Sequence, residues 1–126
     1  MILIVEDDDA FARTFAMALM GAGYSVEVAP DGAKAIAALL TRQHTLAVID
    51  LKLPDMDGTQ VLTAARNAGC DLPMVAITGS VPRDLPIDGF AEVFEKPLRL
   101  SQLIDVIKKY AGDPMPTLAA PQAQQK

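Results

Sequence analysis

The chain opens with MILIVEDDDA (residues 1–10), in which an apolar run, residues 2–5, meets four acids in succession, Glu6, Asp7, Asp8 and Asp9. A short, unbroken aliphatic run marks a strand buried on both faces, as in parallel sheets. Like charges about 4 Å apart repel by roughly 4 kcal/mol at an effective dielectric near 20, so something must offset part of that cost. Asp8 or Asp9 can cap a helix. A bound cation can take up others.

Working outward, residues from Asp8 onward read as a helix, with Phe11, Phe15, Ala18, Leu19 and Ala22 on one apolar face and Gly21 and Gly23 ending it. Residues 25–29 form a second strand, with Val26 and Val28 on one side. Pro30-Asp31-Gly32 turns into a second helix whose inner face is Ala33, Ile36, Ala37 and Leu40. LAVI (46–49) is a third strand that ends at Asp50, followed by the loop LKLPDMDG (51–58). A third helix spans residues 58–68, with Val61, Leu62 and Ala65 inward and Gly69 as its stop. PMVAI (73–77) is a fourth strand ending at Thr78. In GSVPRDLPIDGF (79–90), Pro82, Pro86 and Gly89 are poor residues for a helix interior. Residues 92–95 form a fifth strand, ending at Lys96-Pro97. A last helix covers residues 100–110, with Leu100, Leu103, Ile104 and Ile107 inward. From Gly112 the chain turns to Pro, Ala and Gln, so residues 112–126 are expected to be a disordered tail or linker.

Strands alternating with helices imply an α/β domain with a parallel sheet, right-handed connections and helices on both faces. The 126 residues allow one domain, and a hydrophobic content of 51% supplies its core. The net charge of −5 argues against direct nucleic-acid binding through a basic face. There is no apolar stretch near the length of a membrane span and no signal-peptide pattern. The single cysteine, Cys70, expected as a free thiol in a loop, allows no internal disulfide, and the cytoplasm is the expected compartment. With one histidine, His44, expected to be solvated in the turn before the third strand, the chain lacks the usual His/Cys set for zinc.

Ligands of such folds sit at the carboxyl ends of the strands. There the sequence places Glu6 and Asp7, Asp50, Thr78 and Lys96. Three carboxylates suit a hard divalent cation, most simply Mg²⁺ with several waters retained. A lysine and a hydroxyl beside them suit a phosphoryl group carried on one carboxylate.

In this order, ILIVEDDD (2–9), VIDLKLPDMDG (48–58), MVAITG (74–79) and FEKPL (94–98) resemble the receiver domain of two-component response regulators, over residues 1–111. The resemblance implies a flavodoxin-like, doubly wound five-stranded sheet of order 2-1-3-4-5. It implies that Asp50 is the phosphoacceptor, phosphorylated by a histidine kinase or histidine phosphotransferase. It makes Glu6, Asp7 and Asp50, with the backbone carbonyl of Lys52, the ligands of Mg²⁺, and it sets Thr78 and Lys96 on the phosphoryl oxygens. It also implies a cis Lys96-Pro97 bond. Such a domain is a switch with only self-phosphorylation and autodephosphorylation chemistry. It acts on a downstream protein target or an output domain outside this chain, as a monomer or weak homodimer.

Two features depart from the family pattern. Where receivers carry an aromatic three residues before the lysine, this chain has Val93, and Phe94 one place later faces the other side of the strand. The fourth helix is expected to be short, irregular or mobile, and ordering of residues 79–89 is the expected response to phosphorylation. Asp55 and Asp57 are read as turn acids. Three rival functions remain. One is a receiver-shaped interaction module that is never phosphorylated. Another is a haloacid-dehalogenase-type phosphatase using DMDGT (55–59), although there the motif should directly follow a buried strand. The third is a flavodoxin-like nucleotide binder, which the acids of the first loop oppose.

Overall fold

The computed structural model describes residues 1–79 and 88–114. The expected short fourth helix and the ordering of residues 79–89 fall almost wholly on residues outside this set.

The described elements run β1 (Ile2–Val5), α1 (Asp9–Gly21), β2 (Val26–Ala29), α2 (Gly32–Leu39), β3 (Leu46–Asp50), α3 (Gly58–Asn67), β4 (Met74–Thr78), β5 (Glu92–Glu95) and α4 (Leu100–Ala111). All five strands are parallel, in the order β2-β1-β3-β4-β5. That is the flavodoxin-like doubly wound arrangement anticipated from the sequence.

The two-residue period of each strand divides the core between the faces of the sheet. Ile2 and Ile4, Leu46 and Val48, and Val75 and Ile77 pack with Phe15 and Leu19 of α1 and Leu103, Val106 and Ile107 of α4. Leu3 and Val5, Ala47 and Ile49, and Met74 pack on the opposite face with Ala35 and Leu39 of α2 and Val61, Leu62 and Ala65 of α3. The central strands are buried along their whole length, whereas β2 lies at the edge and leaves Val28 exposed.

Local chemistry starts the helices where expected. The Asp8 carboxylate accepts the Phe11 N–H at 3.2 Å and caps α1. Asp31 caps α2 through the Lys34 N–H at 2.8 Å. At the start of α3, the Gln60 side chain accepts the N–H of Asp57 at 2.9 Å.

Several expected faces are corrected. The inward side of α2 is Gly32, Ala35 and Leu39, with Ile36 and Ala38 partly covered, while Ala33, Ala37 and Leu40 are exposed. The helix reads GAKAIAAL, so it has almost no polar side to set its phase. Contacts from the β3–α3 loop set it instead: Met56 lies so close to Gly32 that a Cβ there would meet its side chain at 2.4 Å. In α4, Val106 joins the core and Leu100 is largely exposed, because Leu100 is the first helical residue and lies at the rim. In α1, Ala12 and Ala16 are buried alongside Phe15 and Leu19, and Phe11 is only partly covered.

His44 is not solvated. Its side chain is 1% exposed, and Nε2 lies 2.8 Å from Glu27 Oε1 on β2. Nδ1 has no hydrogen-bond partner among the described residues. Cys70 is a free thiol as expected, though buried. No described helix is long and apolar enough to cross a membrane.

Candidate functional site

Because side chains alternate along a strand, Glu6 continues the line of Ile2 and Ile4, and Asp50 that of Leu46 and Val48, both toward α1 and α4. Lys96 follows Phe94 in the same phase, and Phe94 packs on that face. The register sets Val5 beside Ile49 and Asp50 beside Ile77, and the Lys96 N–H donates to the Thr78 carbonyl at 2.7 Å. β1, β3 and β5 thus deliver an acid, an acid and a lysine to one rim, with β4 lying between the last two.

Their side chains meet there. Lys96 Nζ donates to Glu6 Oε1 and to Asp50 Oδ2, each at 3.0 Å. Glu6 and Asp50 are buried, Asp7 is exposed, and oxygens of all three carboxylates lie within 4.8 Å of one another. The Asp8 N–H donates to Glu6 Oε2 at 3.2 Å and the Lys52 N–H to Asp50 Oδ1 at 2.9 Å. Thr78 is buried at the end of β4, one residue beyond the partner of Asp50.

The four consecutive acids therefore have separate surroundings. Glu6 faces Lys96, Asp7 completes the carboxylate cluster, Asp8 caps α1, and Asp9 pairs with Arg13 one turn on. Burial pushes the Glu6 carboxyl up to about 7, aided by the Asp50 charge and opposed by the Asp8 amide and Lys96. Burial alone would lower the Lys96 ammonium, but its hydrogen bonds and attraction to Asp50 and Glu6 outweigh that and raise it. Three carboxylates facing one ammonium leave net negative charge at the rim. That donor set, all oxygen, fits a hard divalent cation.

Closure of the site depends on the β3–α3 loop. Lys52 and Asp57 face each other in an isolated antiparallel bridge, held by Gly58 N–H to the Leu51 carbonyl at 2.9 Å and Leu53 N–H to the Met56 carbonyl at 3.3 Å. Neither bond uses the amide or carbonyl of Lys52 itself. Asp55 is more than a turn acid: its two oxygens accept the N–H groups of Gly32 and Ala33 at 2.8 and 2.9 Å. These bonds, at the N-terminus of α2, hold its carboxyl below the ordinary range. A carboxylate so engaged, in a loop rather than at a strand end, lacks the placement a DxDGT nucleophile needs.

The site has one contact that sequence reading did not anticipate. The Phe11 ring lies under the Lys96 ammonium, 4.3 Å from Nζ to its centroid, and packs on Phe15 at 4.2 Å between centroids. Its signal in the sequence is its position, an aromatic in the first turn of the helix that follows the acids. The Lys96-Pro97 bond is cis, as the resemblance implies.

Residues 2–108 match the family model described as the response regulator receiver domain. The chain belongs to that family. Among curated relatives, the acid tolerance regulatory protein ActR of Rhizobium meliloti (strain 1021) is 44% identical over 78 residues, covering 62% of this chain and 40% of ActR. The response regulator MprA of Mycobacterium sp. (strain KMS) is 35% identical over 107 residues, covering 82% of this chain and 46% of MprA. This chain thus spans less than half the length of either relative. Among solved structures, a CheY-like response regulator receiver domain protein from Methanospirillum hungatei JF-1 superposes with a TM-score of 0.79 at 30% identity. That match covers 86% of this chain and 90% of the other. The receiver is a signalling domain of two-component response regulators and not a member of a classical enzyme family.

Proposed function

We propose that this receiver switches by Mg²⁺-dependent phosphorylation of Asp50 by a histidine kinase or histidine phosphotransferase. The observation that carries this reading is the setting of Asp50. It ends a buried central strand, with Oδ1 held by the Lys52 amide, Oδ2 held by Lys96, and two further carboxylates within reach. Glu6, Asp7 and Asp50 would hold the metal, with the Lys52 carbonyl as a further ligand. Support for that carbonyl comes from the bridge to Asp57, which leaves it out of both hydrogen bonds. The bound metal supplies charge neutralisation on the phosphoryl oxygens.

The chain's own residues do the rest. An Asp50 oxygen forms the new bond to phosphorus while the bond from phosphorus to the donor breaks, and the donor leaves with that electron pair. Lys96, already on Asp50 Oδ2, carries its charge to a phosphoryl oxygen. The Thr78 hydroxyl donates to another. Residues 1–111 form the switching unit; of the expected tail or linker, 112–126, residues 115–126 lie outside the described residues. Within the described residues, the Tyr24 hydroxyl donates to the Gly112 carbonyl at 2.7 Å and ties down the start of that segment. The protein works in the cytoplasm as a monomer or weak homodimer, without direct nucleic-acid or membrane contact. It signals to a downstream protein target or an output domain outside this chain.

Incubation with Mg²⁺ and acetyl phosphate, read by intact mass, tests the reading. The wild type gains one phosphoryl group, and neither Asp50→Ala nor wild type in EDTA does. Absence of uptake by the wild type from acetyl phosphate and from a histidine phosphotransferase would favour the never-phosphorylated interaction module instead.

A further inference from the structure

We propose that Phe11 is a positioning residue for Lys96: its ring holds the ammonium over the carboxylates and keeps it there as a phosphoryl group arrives. This rests on the reading of Asp50 as phosphoacceptor and adds a residue from α1 to that site.

Lys96 Nζ donates to Glu6 Oε1 at 3.0 Å and to Asp50 Oδ2 at 3.0 Å, and lies over the face of the Phe11 ring at 4.3 Å from its centroid. An aromatic face attracts a cation through its quadrupole. The lysine side chain is 28% exposed, so its alternative is to turn outward. A lysine ammonium is strongly hydrated and sits on a flexible stem, and outward rotamers are easily reached.

Phosphorylation changes the first two contacts. Asp50 becomes an acyl phosphate, and the ammonium must pass from a carboxylate oxygen to a phosphoryl oxygen. The ring contact has no directional hydrogen bond to break, so it persists through that shift. The ring also keeps water from one side of the ammonium, which strengthens the charge interactions that remain.

Phe11 is itself held in place. Its N–H is accepted by the Asp8 cap at 3.2 Å, and its ring tilts at 47° against Phe15, which is 3% exposed in the core. The backbone that bears the ring thus starts at the acids of the site. A residue needed only for packing at this partly covered position could equally be Leu or Met. The ring over Nζ is what those residues would not reproduce.

The test compares wild type, Phe11→Leu and Phe11→Tyr. The measurements are the initial rate of phosphorylation by acetyl phosphate at saturating Mg²⁺, the Mg²⁺ affinity, and the proton shifts of the Lys96 ε-methylene. The Leu variant is expected to be phosphorylated roughly two- to thirtyfold more slowly, the range that loss of a cation–π contact spans. The Tyr variant keeps the rate, and Mg²⁺ affinity is unchanged in both. The Lys96 ε-protons lie upfield in wild type and Tyr from the ring current and return to ordinary values in Leu. A melting curve establishes that each variant is folded. Phosphoryl uptake at equal rates in wild type and Leu overturns the role of Phe11 and leaves Asp50 as acceptor. Parallel losses in Leu and Tyr overturn it too, because a ring would then not be what matters. No uptake by the wild type, from acetyl phosphate or from a histidine phosphotransferase, overturns both readings together.

Discussion

Gly58 shows how narrowly the rim is built. A Cβ at this position would lie 2.7 Å from the Asp50 carbonyl oxygen, 2.9 Å from Ile49 Cγ2 and 3.0 Å from Leu51 Cα. Two of these are backbone atoms that cannot yield without moving β3. The absent side chain lets α3 begin directly against the strand that ends in Asp50, where the Gly58 N–H reaches the Leu51 carbonyl. Gly58→Ala is therefore expected to destabilise the fold by about 1–3 kcal/mol. Urea titration should show a lower midpoint with an unchanged slope. Gly32→Ala should cost less, although its Cβ would come even closer to a neighbour, because that neighbour is the flexible Met56 side chain. Equal losses in the two variants would mean that backbone crowding at Asp50 is not what Gly58 relieves.

Between elements, the decisive contact is the tie from the β3–α3 loop to α2. Asp55 reaches across 22 and 23 residues of chain to take the first amides of that helix. Asp55→Ala should speed amide exchange at Gly32 and Ala33 well before it affects β3, and should lower the melting temperature. Unchanged exchange at those two amides would show that Asp31 alone holds the helix start. This tie also explains what the sequence could and could not convey. Strands were legible because continuous runs such as LIV and VAI have one sensible burial. The convergence at the rim was legible because Glu6, Asp7, Asp50 and Thr78 sit where an apolar run stops, whereas Lys96 follows the mixed strand EVFE. The phase of α2 was not, since six of its eight residues are Ala, Ile or Leu and its orientation comes from residues 55 and 56. Nor was the burial of His44, which depends on a pairing with Glu27 that only the β1–β2–β3 neighbourhood creates. The place of Phe11 over Lys96 joins residues 85 apart, and no local pattern encodes it.

Taken over the whole molecule, the rim should make stability depend on pH and, if it holds the proposed metal, on divalent cations as well. Glu6 titrates near 7 in the fold against an ordinary value of 4.5, raised chiefly by burial. Between those values the folded state holds more protons than the unfolded one, so stability falls as pH rises through that window. Asp55 and Glu92 are shifted the other way; their contribution is present above the ordinary carboxylate range and is lost only in stronger acid, outside this window. In EDTA, the melting temperature should decline from pH 5 to pH 8, by the equivalent of about 1–3 kcal/mol. Glu6→Gln should remove most of that decline, because the amide cannot ionise. Mg²⁺ should raise the wild-type melting temperature more at pH 8 than at pH 5, since the charged carboxylate is the form that binds and a ligand of the folded state stabilises by mass action. Calorimetric scans of both proteins, with and without Mg²⁺, separate the two effects. A wild-type profile in EDTA that rises with pH and is matched by Glu6→Gln would show that ionisation of the buried carboxylate is not what destabilises the fold.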